Sequence, residues 1–180
     1  METLKALTER RSIRQYQEKP VTAEQIQEII DIARFSPTWK NSQTVRYYAI
    51  LDKELKDKIA EVGTLGFSKN GNNIRSASAL IVLATIDGIA GYEKDGTPTT
   101  AKGSHWQSFD AGIACQSVCL TAYDKGLGTL IMGIYDEKKI AELISLPEGQ
   151  SISALIAVGY ADEAPTAPKR KTLDEILTIL

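Results

Sequence analysis

The sequence predicts an α+β fold: a mixed or antiparallel sheet packed with helices, in one domain covering residues 1–180. Three observations carry this. Apolar runs of strand length alternate with stretches of helical period, but the connections between them are irregular. One segment, Phe109–Tyr123 (FDAGIACQSVCLTAY), is almost entirely apolar or small, as expected of a central core helix or of part of a subunit interface. The length of 180 residues fits one domain better than two, and 43% apolar against 24% charged residues supplies a core.

Taken in order, the first helix is expected over Glu2–Glu9, with Leu4 and Leu7 as its apolar positions. Thr22 followed three residues later by Gln25 forms a capping box. Ile26, Ile29, Ile30 and Ala33 then recur at helical spacing, and that helix should end before Pro37. Val45–Leu51 is rich in β-branched and aromatic residues and reads as a strand. Asp52–Val62 reads as a short helix and Gly63–Asn73, rich in Gly and Asn, as a loop. Ala79–Ile86 (ALIVLATI) is continuous enough in apolar character to be a buried strand. Asp87–Gly103 is a long polar excursion, of the kind that serves as a lid or a partner-contacting arm. After the core helix, stopped at Lys125-Gly126, come a short apolar run (Thr129–Ile134), an amphipathic helix (Glu137–Ile144) and a last central strand (Ser151–Tyr160). A tail with two prolines then leads to a final short helix, Leu173–Leu180.

Composition narrows the function. A net charge of −2 argues against nucleic acid as a partner, so any anion site must be local. The start METLKALTERRSIRQY has no apolar signal-peptide core, and no run reaches the length of a membrane span. The two cysteines, Cys115 and Cys119, share a helix face and have neither disulfide nor metal-ligand spacing. Together these point to a cytoplasmic chain without a metal site. No GxSxG, HExxH or Walker A sequence is present, and His105, the one histidine, stands without supporting residues. An enzyme of this composition would leave the hard chemistry to a cofactor.

Three polar segments are candidates for holding one. Arg10-Arg11-Ser12-Ile13-Arg14 is either a solvated basic face or an anion site, since forked guanidinium donors match phosphate oxygens. Ser36-Pro37-Thr38-Trp39-Lys40-Asn41-Ser42-Gln43 is either a capping loop or a set of ligand contacts. Lys169-Arg170-Lys171 is either a solvated tail or a second cationic wall.

The order of these segments resembles the nitroreductase family. R-R-S-I-R precedes one helix and then S-P-x-x-x-N-x-Q; Phe109-Asp110-Ala111-Gly112-Ile113-Ala114 opens the long helix. Gly126-Leu127-Gly128-Thr129 with Met132-Gly133 follows, and Pro168-Lys169-Arg170-Lys171 closes the match, which spans about residues 5 to 175. The short chain and its M-G-I-Y-D-E-K-K stretch resemble the compact branch of the family.

The resemblance implies an intertwined homodimer with FMN at the subunit interface and NAD(P)H as reductant. It implies that Arg10, Arg11, Ser12 and Arg14 hold the phosphate, ribityl chain or pyrimidine edge. Lys169, Arg170 and Lys171 close on the phosphate. Pro37, Thr38, Trp39, Asn41 and Gln43 come from the other subunit. Ile131, Met132 and Gly133 approach flavin N5 with their backbone, and Asn73, or Asn70, touches the pyrimidine edge. No protein side chain is assigned as acid or base; hydride passes through the flavin to a nitroaromatic, quinone or similar small acceptor in ping-pong fashion. Trp39, Tyr92, Trp106 and Phe67 are candidates for lining the pocket. Departures from the family pattern are Thr44-Val45 where a proline and an aromatic are usual, Trp39-Lys40 in place of small residues, and Met132 where many members carry an acid. These bear on the acceptor pocket, and leave open a same-fold flavoenzyme with another reaction (a dehalogenase or azoline dehydrogenase) or a flavin-binding protein without turnover.

Overall fold

The structure is a computed structural model and describes residues 3–180. Its centre is a four-stranded sheet in the order β1 (Val45–Ile50), β2 (Ala79–Ile86), β4 (Gln150–Gly159), β3 (Gly128–Met132), antiparallel at every pairing. The α+β expectation holds, in its antiparallel form. The sheet is buried on both faces because its inner strands, β2 and β4, are apolar at nearly every position.

On one face Ala79, Ile81 and Leu83 of β2 and Ile156 and Val158 of β4 pack under α2 (Ala23–Ala33) and α5 (His105–Asp124). On the other, Leu80 and Val82 of β2, Leu155 and Ala157 of β4 and Met132 of β3 pack under α3 (Lys53–Val62), α4 (Ser68–Ser76) and α6 (Glu137–Leu143). The alternation along each strand assigns successive residues to opposite layers. α1 (Thr3–Glu9) covers Thr3 to Glu9 of the expected first helix; Glu2 lies outside the described residues. α2 starts as the capping box requires: the Thr22 side chain accepts from the Gln25 amide, and Gln25 reaches back to the Thr22 amide.

Three expectations are corrected. The Gly63–Asn73 loop in fact becomes helical at Ser68. α4 forms despite low intrinsic propensity because Ile74 is fully buried and Gly71 lies against the Ala60 carbonyl, where a Cβ would stand 2.8 Å away. The final helix reduces to a 3-10 turn, Leu173–Glu175. Leu173, Ile176, Leu177 and Ile179 are all exposed, so nothing offsets the entropy of winding a short helix. α5 is longer than expected, starting at His105, and buried on one side only. Asp110, Ala111, Ala114, Cys115, Val118, Cys119 and Ala122 face inward, while Phe109 is 58% exposed. Within a single chain one face of this helix is uncovered, as are Ile32 and Phe35 near the end of α2.

Candidate functional site

Residues 10–17 form no named strand, yet the sheet fixes them. The Ile13 amide donates to the Thr129 carbonyl at 2.9 Å, and Ser12 bridges Thr129 in parallel sense. Further along, Tyr16 bridges Ala161, the Gln17 amide donates to the Tyr160 carbonyl, and the Asp162 amide donates back to the Gln15 carbonyl. The segment is therefore stitched between the start of β3 and the chain leaving β4. Its side chains divide: Ile13 and Tyr16 are buried, Arg14 and Gln15 are exposed and Ser12 is half-exposed. The Tyr16 hydroxyl donates to the Ile13 carbonyl at 2.7 Å, fixing the turn between them.

This stitching brings the chain's two basic clusters together. Arg10, Arg11, Ser12 and Arg14 share a cleft of about 290 Å³ with Pro165, Thr166, Pro168 and Arg170. Among the described residues, none of these arginines forms an ion pair with a carboxylate. Where the guanidinium groups bond within the protein they use backbone carbonyls: Arg11 to Thr8 and Arg10, Arg14 to Ser12 at 3.4 Å, Arg170 to Pro168 at 3.1 Å. Such groups keep donors for an incoming anion. Lys169 and Lys171 flank Arg170 in the exposed tail without lining the cleft.

One carboxylate was not anticipated here. Glu163 accepts from the backbone amides of Arg14 and Gln15, the latter at 3.1 Å. It ties the tail to the basic segment through main-chain amides rather than through a guanidinium group.

Arg14 also lines a second cleft, of about 550 Å³, with Phe67, Asn70, Asn73 and the Leu130–Ile134 stretch. α4, unseen in the sequence, supplies one wall. Asn70 is buried and donates to the Ile134 carbonyl at 3.0 Å, clamping the far end of that stretch. Asn73 is half-buried and free to face the cleft. Ile131 and Gly133 are exposed, Met132 is buried below, and a Cβ on Gly133 would meet nothing within 4 Å. At Gly133 the wall is thus bare backbone, which lets a flat ring approach. A cationic cleft thus adjoins, at Arg14, one with a bare-backbone wall and three amide side chains, Asn70, Asn72 and Asn73.

A third cleft, about 600 Å³, lies between Ile13, Tyr123, Leu127 and Pro165. Arg11 is its sole cation, and Glu9 and Glu163 stand in its wall, which disfavours an anion.

The remaining predicted residues are elsewhere. Pro37, Thr38, Trp39, Asn41 and Gln43 line neither Arg14 cleft. They form a tight loop over the start of α5, with a 3-10 turn at Trp39–Asn41. Lys40, Asn41 and Gln43 have φ of 45°, 54° and 50°, an uncommon region for residues with a Cβ. The loop is held by Asp110, whose buried carboxylate accepts from the Trp39 amide at 2.8 Å, and by Thr38 Oγ1, which accepts from the Gln43 amide at 3.0 Å. Burial pushes the Asp110 carboxyl above its ordinary value, opposed by the Trp39 bond. Trp39 packs on Trp106 with ring centroids 4.8 Å apart. Of the four aromatic candidates, Phe67 alone lines the second cleft.

The fold is thus an antiparallel sheet covered by helices on both faces, with a cleft lined by Arg10, Arg11, Arg14 and Arg170 that suits an anion. Comparison with known proteins supplies the family. The nitroreductase family model matches residues 7–72 and 68–160, and the chain belongs to the nitroreductase family. An FMN reductase (NAD(P)H) of Bacillus subtilis is 29% identical over 182 residues, covering 93% of this chain and 70% of that protein. A nitroreductase family protein from Streptococcus pneumoniae TIGR4 shares the fold with a TM-score of 0.86 at 21% identity, over 99% of this chain and all of that one. An FMN-dependent nitroreductase from Clostridium difficile R20291 superposes with a TM-score of 0.78 at 25% identity, over 97% of this chain and 98% of that one. Among the described residues no helix is long and apolar enough to cross a membrane, and no group of three His, Cys, Asp or Glu could hold a metal.

Proposed function

We propose that residues 1–180 form one FMN-binding domain of an NAD(P)H-dependent oxidoreductase that reduces a small nitroaromatic, quinone or similar acceptor. The observation that carries this reading is the meeting of Arg10, Arg11, Ser12 and Arg14 with Arg170 in one cleft. The relatives named for FMN and NAD(P)H support the same assignment. FMN, when bound, supplies the two-electron step between reductant and acceptor.

The chain's own residues bind and orient. Arg10, Arg11, Arg14 and Arg170 would hold the phosphate by charge-assisted hydrogen bonds, and Lys169 and Lys171, beside the cleft, would add longer-range positive charge. Ser12 adds a hydroxyl. Asn73 offers an amide to the pyrimidine edge. Ile131, Met132 and Gly133 present backbone to the ring. Arg14, common to both clefts, places positive charge where the ring gains electron density.

The Pro37–Gln43 loop serves the same site from a second copy of the chain. The uncovered apolar side chains Ile32 and Phe35 near the end of α2 and Phe109 on α5 supply apolar area for that association. Buried free thiols at Cys115 and Cys119 fit a reducing, cytoplasmic setting.

The purified protein should be yellow, and NADH or NADPH should bleach it in the absence of oxygen. A colourless protein that takes up no FMN on reconstitution would refute the assignment. A yellow protein that neither nucleotide reduces would leave flavin binding and remove the activity.

A further inference from the structure

The 87–103 excursion is a built structure rather than a slack loop. Gly91 and Gly103 close its base so tightly that a Cβ on Gly91 would lie 2.2 Å from the Gly103 carbonyl oxygen. Tyr92 bridges Pro98, and the Thr99 amide donates to the Gly91 carbonyl at 2.9 Å. At the tip, the Glu93 amide donates to the Thr97 carbonyl at 2.8 Å and the Glu93 carbonyl accepts from the Gly96 amide at 3.0 Å. The Glu93 backbone is therefore fixed before its side chain is considered.

That side chain reaches the strained loop. Glu93 Oε1 accepts from Thr99 Oγ1 at 2.7 Å and from Lys40 Nζ at 3.1 Å, and Oε2 lies 3.4 Å from the same ammonium. The Thr99 bond, then the Lys40 bond, hold its carboxyl below the ordinary value. A second link joins the same elements: Trp106 stacks on Trp39 while its indole N–H donates to Thr100 Oγ1 at 2.9 Å. The Lys40–Glu93 side chains are 58% and 47% exposed, and ion pairs so placed add little to global stability. Their effect is local. Residues held at positive φ persist only where surrounding contacts over-determine them, and Lys40 is one of three such residues in this loop.

We propose that the 87–103 excursion is a specificity arm: through Glu93–Lys40, and through Thr100, which holds Trp106 of α5 against Trp39, it keeps the 38–43 loop in shape, and Glu93 masks the Lys40 charge so that the site favours uncharged acceptors. The specificity half rests on the proposed function, in which this loop faces the bound flavin. Glu93 is on this account a positioning residue, acting through Lys40.

The two tryptophans of the chain, Trp39 and Trp106, are both in the clamp, so intrinsic fluorescence reports on it with or without flavin. Glu93→Gln keeps an acceptor for Thr99 and removes the charge. Its tryptophan emission should move to longer wavelength, and the charge swap Lys40→Glu with Glu93→Lys should restore it. In FMN-loaded Glu93→Gln, the KM for 4-nitrobenzoate should fall relative to nitrobenzene by about three- to tenfold, the scale of unmasking one partly hydrated charge. Unchanged emission in Glu93→Gln overturns the clamp. A moved emission with an unchanged KM ratio overturns the specificity role. Failure to bind FMN at all overturns the functional reading and the specificity role with it, while the emission still decides the clamp.

Discussion

Gly128 has no room for a side chain because Ile13 occupies the space: a Cβ there would stand 2.6 Å from Ile13 Cγ1 and 2.9 Å from Ile13 Cβ. The close approach lets residues 10–14 lie on β3, and so places three arginines beside the tail. Gly128→Ala should destabilise the protein by about 1–3 kcal/mol, as overpacking does. It should also weaken FMN retention. Thermal melts and FMN titration of the single variant check this, and Gly128→Ala with Ile13→Ala should recover FMN affinity relative to the single change.

Arg10→Ala and Arg14→Ala should each weaken FMN binding by about 1–3 kcal/mol, the range for losing a charge-assisted hydrogen bond. Both side chains border the cleft and form no ion pair among the described residues, so stability should change little. Fluorescence titration of the apoprotein measures the affinity. Unchanged affinity in both variants would remove the cleft from the FMN site.

Asp110 gives a pH signature with a definite sign. Its folded carboxyl is shifted upward by burial, so the folded state binds its proton more readily than the unfolded chain does. Stability from this group is therefore unimpaired below the ordinary Asp value and falls as pH rises through the raised folded value. Asp110→Asn keeps an oxygen for the Trp39 amide and removes the charge. The variant should be more stable than the parent at neutral pH, with the difference shrinking to nothing in acid; denaturant titrations at a series of pH values read it out. A difference independent of pH would show that Asp110 is not the group concerned.

Phe35 is 73% exposed, with the Arg34 guanidinium 4.6 Å from its ring, and Phe35→Glu should leave the isolated fold intact. If this face meets a second copy, the variant should sediment as a monomer and lose FMN together with the contact. A variant that sediments and binds FMN as the parent does would move the contact elsewhere.

Elements with a local cause were legible in the sequence. α2 was readable from Thr22 and Gln25, and β2 from eight consecutive apolar or small residues. The cationic half of the site was legible as two basic clusters, although their meeting depends on the pairing of Tyr16 with Ala161. What escaped has its cause at long range. α4 exists because Gly71 and Ile74 fit against α3, which a Gly- and Asn-rich stretch does not announce. Glu163 looks like an ordinary surface acid in sequence and Asp110 like one polar residue in an apolar helix, yet one accepts from the Arg14 amide and the other from the Trp39 amide. The last helix failed for the opposite reason: its local pattern was good but no surface was there to receive it.

The stitching of residues 10–17 to residues 160–162 also bears on the order of events during synthesis. The basic segment leaves the ribosome some 145 residues ahead of its pairing partners (Gln17 with Tyr160, Gln15 with Asp162). At a translation rate of about 5–20 residues per second, that is an interval on the order of ten seconds or more. Throughout that time the arginines have no cleft to belong to. Closing so long a loop is a late step, so the cleft shared by Arg10, Arg14 and Arg170 forms only once β4 and the chain leaving it are in place.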